Sequence, residues 1–330
     1  MNWEQFFTSP PPSTGWVFDS EMVAVAHRSK TEEVHCAAED IPAGGLDVGP
    51  VGLQAIHDDV LGPVLARLKG VAEGTGTAAV VVPTGWLRSF LIDVDQLPRR
   101  EDELNDVVRW RLKKLLPIPP AELRLSVIRL PESDGRRLLV MAGIERAMAA
   151  IEACYSSIGI EVGLITTRLF ALVPRLAGTP LPTLVIQHEK SFLSLLLLVD
   201  GVPRLLRTKP LPLSAGGGET VLREATLTLG FIRDSVGVGG EIEVRLNSER
   251  PEMDATMRNW LAEQTGLVPA AEMVGPPCGP TTVVSRLGAG AKRRRGFEEG
   301  AVAVADASRR CHQFDPSGAL VLVARDARRH

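Results

Sequence analysis

Aromatic side chains are scarce in this sequence. One Tyr and nine Phe among 330 residues are too few for the stacking platforms that hold single-stranded nucleic acid. Charge of one sign is scarce as well: a formal net charge of −3 gives no general pull toward nucleic acid or an anionic surface. The four cysteines, Cys36, Cys154, Cys278 and Cys311, form no CxxC pair. Such widely spaced thiols fit a reducing cytoplasm. The mirrored dipeptides His35-Cys36 and Cys311-His312 resemble fragments of a metal site. Neighbours on a strand point to opposite faces and chelate poorly, so no metal is expected. Long hydrophobic runs are missing. The longest, Leu193 to Val199, is broken by Ser194 and falls far short of the ~20 residues that cross a bilayer. The N-terminal MNWEQFFTSPPPSTGW has no basic segment followed by an apolar one, so it is not a signal peptide. A soluble chain without a membrane span is expected. No GxSxG elbow is present, which leaves a Ser-His-Asp hydrolase without support.

What the chain does have is apolar content in ordered patterns. With 45% hydrophobic and 23% charged residues over this length, it can bury sizeable cores in about two domains. The organising stretch runs from Ala78 to Leu130. Ala78–Val82 has the continuous apolar character of a buried strand, and Leu87–Val94 is a second strand. Leu104, Val107, Val108, Arg111, Leu112 and Leu115 then recur at helical spacing, all but Arg111 apolar, which predicts an amphipathic helix. Its acidic start (Glu101, Asp102, Glu103) and basic end (Arg111, Lys113, Lys114) complement the helix dipole. Pro117, Pro119 and Pro120 stop it, and Leu123–Leu130 is a further strand.

Around this stretch the elements repeat. Strands are expected at Trp16–Asp19, Met22–His27 and Glu33–Ala38, followed by a helix from about Leu53 to Lys69 in which Gly62-Pro63 is a point of kinking. Strands are also expected at Arg137–Ala142, entered through an Asp134-Gly135 turn, and at Val162–Thr166. Glu145–Ser157 and Arg168–Leu176 are expected as helices. The opening pattern then returns. Strands at Thr183–Gln187, Phe192–Val199 and Pro203–Thr208, the last two joined by an Asp200-Gly201 hairpin turn, precede a helix at Glu219–Val236, a strand at Glu241–Leu246 and a helix at Glu252–Gln264. Two β-β-β-α-β-α halves in tandem describe an α/β, actin-like (ribonuclease H-like, duplicated) fold with a strand-helix-strand insert in the first half. Only about thirty residues separate Thr208 from Glu241, room for one helix, so a second small subdomain is reduced or missing. The division expected is a lead at 1–14, a first core half at 15–82 and 161–180, an insert at 83–160, a second core half at 181–274, and a linker and C-terminal segment at 275–330. That last part contains the Gly/Pro-rich, basic stretch 275–296, a helix candidate at 301–310 and a strand or tail at 319–324.

The run VVPTGWLRSFLIDVDQLPRREDELNDVVRWRLKKLLPIPPAELRLSVIRL and the hairpin FLSLLLLVDGVPRLLRTKPL together resemble the PilM-like proteins of type IV pilus assembly. They are also similar to the cytoplasmic domains of GspL proteins of type II secretion. The resemblance covers about residues 15–270. It implies an actin-like protein that is cytoplasmic and peripheral to the inner membrane, part of a pilus or secretion platform with other platform proteins. Its implied partner is a PilN-like inner-membrane protein, bound through that partner's short cytoplasmic N-terminal peptide. On this chain Trp86, Arg88, Arg109 and Trp110 are the candidates to line the peptide groove.

Family members often bind ATP, and the corresponding positions here depart from what ATP needs. A first hairpin should carry Asp followed by Gly and Ser/Thr, so that a carboxylate holds metal-bound water and small residues let backbone N–H groups reach phosphate. The chain reads Phe18-Asp19-Ser20-Glu21. A second hairpin should read Asp-x-Gly-x-x-Thr; here it is Gln187-His188-Glu189-Lys190-Ser191. A later Gly-Gly is replaced by Asn247 and bulkier neighbours. Gly216-Gly217-Gly218 lacks the Lys-Ser/Thr of a phosphate loop. Asp19, Ser20 and Lys190 are therefore a remnant nucleotide site, with no cofactor expected and no catalytic residue assigned. The alternative is an ATP- and Mg-binding actin-like ATPase of the same superfamily, which the retained Asp19 supports.

Overall fold

A computed structural model describes residues 12–29, 34–49, 51–71, 77–131, 136–176, 179–211, 217–248 and 251–270. The Asp134-Gly135 turn, Gly216, the basic stretch 275–296 and the elements expected at 301–310 and 319–324 lie outside the described residues. In chain order the first elements are β1 (Thr14–Phe18), β2 (Met22–Arg28), β3 (Val34–Asp40), β4 (Leu46–Gly49), β5 (Gly52–Ile56), α1 (Asp58–Lys69) and β6 (Thr77–Val82). Next come β7 (Leu87–Asp93), α2 (Glu101–Leu112), β8 (Leu123–Arg129), β9 (Arg137–Ile144), α3 (Glu145–Ser157), β10 (Glu161–Thr167) and α4 (Arg168–Leu172). The last are β11 (Thr183–His188), β12 (Phe192–Val199), β13 (Val202–Pro210), α5 (Gly217–Phe231), β14 (Ile242–Ser248), α6 (Pro251–Ala262) and β15 (Leu267–Pro269). They fall into two compact units: an N-terminal unit of residues 12–83 and 146–172, and a C-terminal unit of residues 84–145 and 173–270.

The N-terminal unit is built on a five-stranded sheet in the order β10-β6-β1-β2-β3. β1, β2 and β3 form an antiparallel meander, and β6 and β10 continue it in parallel. β6 is buried from Ala78 to Val82, as a central parallel strand covered on both faces must be. Alternation along β1 sends Trp16 and Phe18 to one face, where both meet Tyr155 of α3 edge-on at ring-centroid distances of 5.1 and 6.4 Å. Val17 goes to the other face, into a cluster with Met22, Ala24, Ala26, Val81 and Ala171 of α4.

The C-terminal unit repeats that topology. Its sheet runs β13-β12-β11-β14-β15, an antiparallel meander continued by two parallel strands. Asp200 (φ 52°) and Gly201 (φ 75°) both take the left-handed conformation that a two-residue hairpin turn needs at both central positions. α5 and α6 pack Val221, Ala225, Leu229, Met257 and Leu261 against Leu184, Ile186, Leu195, Leu197 and Val244 of the sheet. The same unit contains a second sheet, β7-β9-β8, wholly antiparallel. α2 lies on it through Leu104, Val108 and Leu112, which meet Ile92, Leu138, Val140 and Ala142.

Four elements differ from the sequence expectation. Residues 53–56, expected as the first residues of a helix from Leu53, belong instead to the β4–β5 hairpin, and α1 begins only at Asp58. Pro63, the sixth of the twelve residues of α1, does not split it: the helix runs on from Asp58 to Lys69 with Pro63 on its exposed side. α2 ends at Leu112, so Leu115 leaves the apolar stripe and is 55% exposed, while Leu116 and Ile118 pack against the core in its place. β15 is an additional parallel strand beyond α6.

Candidate functional site

The β1–β2 turn holds Asp19 and Ser20. Asp19 Oδ1 accepts hydrogen bonds from the backbone N–H groups of Glu21 and Met22, both at 2.8 Å. Oδ2 faces the guanidinium of Arg168, the first residue of α4, at 2.9 Å. Both oxygens of this carboxylate are thus engaged within the unit, and the ion pair is well shielded, with side-chain exposures of 14% for Asp19 and 11% for Arg168.

The end of β11 and the β11–β12 turn of the C-terminal unit carry Gln187 to Ser191. Gln187 and His188 lie opposite Asn247 and Ser248 in the parallel register of β11 and β14. Asn247 Nδ2 donates to Gln187 Oε1, and His188 Nδ1 shares a hydrogen bond of 2.9 Å with Ser248 Oγ. Glu189 is 3% exposed. Its carboxylate accepts from the backbone N–H of Thr84 at 2.9 Å and from the Thr84 hydroxyl at 2.7 Å. Phe192, just past the turn, lies under the Arg88 guanidinium at 4.7 Å. The same ring closes on Gly85, where a Cβ would come within 2.7 Å of it. The turn therefore clasps residues 84–88, the entry to β7. Lys190 is exposed beside it.

The four groove candidates occupy different environments within the C-terminal unit. Trp86 is 5% exposed, a packing residue. Arg88 is engaged with Phe192, and burial lowers its pKa from the ordinary guanidinium value. Arg109 donates to the carbonyl oxygens of Pro120 and, at 3.0 Å, Leu123, so it ties α2 to the loop that enters β8. Trp110 is 56% exposed, with Lys114 Nζ 4.7 Å and Arg111 Cζ 5.5 Å from its ring centre. A cavity of about 740 Å³ lies elsewhere in the unit, lined by Leu91 and Asp93 of β7, Arg204 and Leu205 of β13, and Phe231 and Val238.

Arg168, Thr84 and Phe192 were not marked as site residues by the sequence reading. Arg168 is 149 positions from Asp19, and Thr84 is 105 from Glu189; no local pattern links residues so far apart. The available signal was chemical: an acid in a hairpin turn of otherwise apolar strands needs a partner. Among the described residues no three His, Cys, Asp or Glu side chains converge on a metal-sized site. No helix there is long and apolar enough to cross a membrane.

No protein-family model matches the chain, and no curated protein is significantly similar in sequence. Among solved structures it is similar to a chain of the PilM-PilN type IV pilus biogenesis complex. Identity is 16%, over 94% of this chain and 100% of that one, with a TM-score of 0.63. It is also similar to the cytoplasmic domain of EpsL, an inner membrane component of the type II secretion system of Vibrio cholerae (8% identity, 85% of this chain, 96% of that one, TM-score 0.47). A third is a Bacteroides thetaiotaomicron protein with an actin-like ATPase fold and unknown function (6% identity, 78% of this chain, 91% of that one, TM-score 0.49). The PilM-PilN likeness establishes the fold. The resemblance read from the sequence therefore holds at the level of architecture, which is actin-like.

Proposed function

We propose that this chain is an actin-like scaffold of a type IV pilus or secretion-type assembly platform. It binds the cytoplasmic N-terminal segment of a PilN-like inner-membrane protein and does not hydrolyse ATP. In this reading the protein is cytoplasmic, is held at the inner membrane by its partner, and uses the β7–α2–β8–β9 insert as part of the docking surface. The observation that carries the scaffold reading is the fold likeness, which extends over the whole length of a chain from the PilM-PilN complex.

The chemistry of the two hairpin turns argues against nucleotide work. An ATPase needs a carboxylate free to hold metal-bound water and backbone N–H groups open to phosphate. Asp19 gives one oxygen to its own turn and the other to Arg168. At the second turn Gln187 bonds to Asn247, and the buried carboxylate of Glu189 stands where a phosphate loop has glycine. ATP with Mg does not fit these residues, and no step is assigned to it. The second reading, an ATP-binding member of the superfamily, draws on one feature: Asp19 is retained, and Arg168 beside it is a cation that could face a phosphate.

Titration of the full chain with a synthetic peptide of the partner's cytoplasmic segment tests the scaffold. Saturable binding without nucleotide is expected. Binding only in the presence of Mg-ATP would overturn the scaffold reading in favour of the second.

A further inference from the structure

We propose that the C-terminal corner of α2 is a contact for an anionic bilayer surface, with Trp110 as its anchor. Five large apolar side chains among the described residues are strongly exposed, and two of them, Trp110 and Leu115, stand five positions apart at this corner. Lys113 and Lys114 between them are exposed as well. The Lys114 ammonium and the Arg111 guanidinium both sit over the Trp110 ring, so one aromatic surface is edged by two cations on flexible stems.

This composition matches the boundary between lipid headgroups and acyl chains. An indole favours the headgroup level, with its apolar body inward and its N–H toward water. Lys and Arg stems lie along the apolar surface while their charged ends reach the anionic phosphates. The shape favours a plane over a peptide. Residues 113–115 follow the last turn of α2 as an exposed corner, and the cavity of this unit is lined by β7, β13 and the end of α5. A peptide hot spot needs a pocket that excludes water around the aromatic ring; a membrane surface does not. The charges are arranged to match. Arg111, Lys113 and Lys114 gather at this end, while Glu101, Asp102 and Glu103 lie in the first turn of α2, about 15 Å away along the axis. The nearer acids are Asp95, paired with Arg111 at 3.6 Å, and Asp106, one turn before Trp110. The surplus of cations is small, so the contact depends on the Trp110 anchor together with a high fraction of anionic lipid. The inference is independent of the peptide reading, because it concerns the chain alone with lipid.

The test is flotation of the full chain with vesicles of phosphatidylglycerol and phosphatidylcholine in equal parts, against vesicles of phosphatidylcholine alone. The chain is expected to float with the anionic vesicles, with a blue shift of Trp emission, and not with the neutral ones. Trp110→Ser should abolish the shift, and Lys113→Glu with Lys114→Glu should lower binding by at least about fivefold for each charge reversed. All three side chains are exposed, and circular dichroism checks that the variants fold. Neutralising Lys292 to Arg295 is the control for the other basic run. The proposal is overturned if the native chain binds neither vesicle or if the α2 variants bind as well as the native chain. It is equally overturned if only the 292–295 variant loses binding, or if Trp110 is required for binding a partner peptide without lipid while vesicle binding is unchanged by its loss.

Discussion

Glu189 shows how much one side chain decides here. A carboxylate so buried is costly unless its oxygens are hydrogen-bonded, and Thr84 supplies two donors, main chain and hydroxyl. Glu189→Ala would strand both donors and is expected to lower stability by about 2–3 kcal/mol, read as a shift of the urea midpoint. An unchanged midpoint would mean that the clasp is not formed. Gly85→Ala tests the same contact from the other side. Its Cβ would press on the Phe192 ring and loosen the Arg88 stack, at about 1–3 kcal/mol. Cys154 yields a different kind of prediction. Burial, with the Asp58 carboxylate adding to it, pushes its thiol pKa up to about 12. The thiol is therefore protonated at pH 8 and should resist iodoacetamide in the folded chain while reacting in urea, as peptide mass mapping would show. Because this pKa is raised on folding, the folded state holds the proton more tightly. The stabilisation is complete below the unfolded thiol value of ~8.5 and is progressively lost as pH rises from there toward 12. Stability measured at pH 7.5 and pH 10 should differ in that direction, and Cys154→Ser should narrow the difference.

Helix α2 shows which parts of an element its sequence determines. Leu104, Val108 and Leu112 carried the period and are the residues buried. Leu115 continued the period in the sequence, but the helix had already ended, and Leu116 and Ile118 took its place against the core. The periodicity held no sign of that, because the end of the helix is set by the chain turning at residues 113–115. Leu112→Ala is accordingly expected to cost about 2–5 kcal/mol, whereas Leu115→Ala should change stability by less than about 0.5 kcal/mol; urea unfolding of the two variants separates them. The β4–β5 hairpin was hidden for a related reason. Leu53, Ile56, Val60 and Val64 have helical spacing across a boundary that lies at Asp58, so the period ran on through a strand. The short β15 offered only three residues, Leu267 to Pro269, and strand pairing rather than pattern defines it. The Asp200-Gly201 turn, by contrast, was legible because backbone conformation restricts which residues can sit there.

At the scale of the whole molecule, the doubled topology was readable from the order of elements. Both five-stranded sheets have a three-stranded meander followed by two parallel strands. The candidate site was only partly legible. The departures from a nucleotide-binding pattern are visible in the sequence, but the groups that engage Asp19 and Glu189 come from distant segments that only the fold brings together. Of the four residues named for a peptide groove, three are engaged in packing or in ties within the unit, and Trp110 alone stands well exposed. The central claim is that both turns are engaged by the protein's own side chains instead of by phosphate. Its most direct test is calorimetric titration of the full chain with Mg-ATP at protein concentrations high enough to detect weak binding, paired with a thermal-shift measurement. No saturable heat and no shift in Tm are expected. Saturable binding that is lost in Asp19→Ala would contradict the claim and make the chain a nucleotide-binding protein.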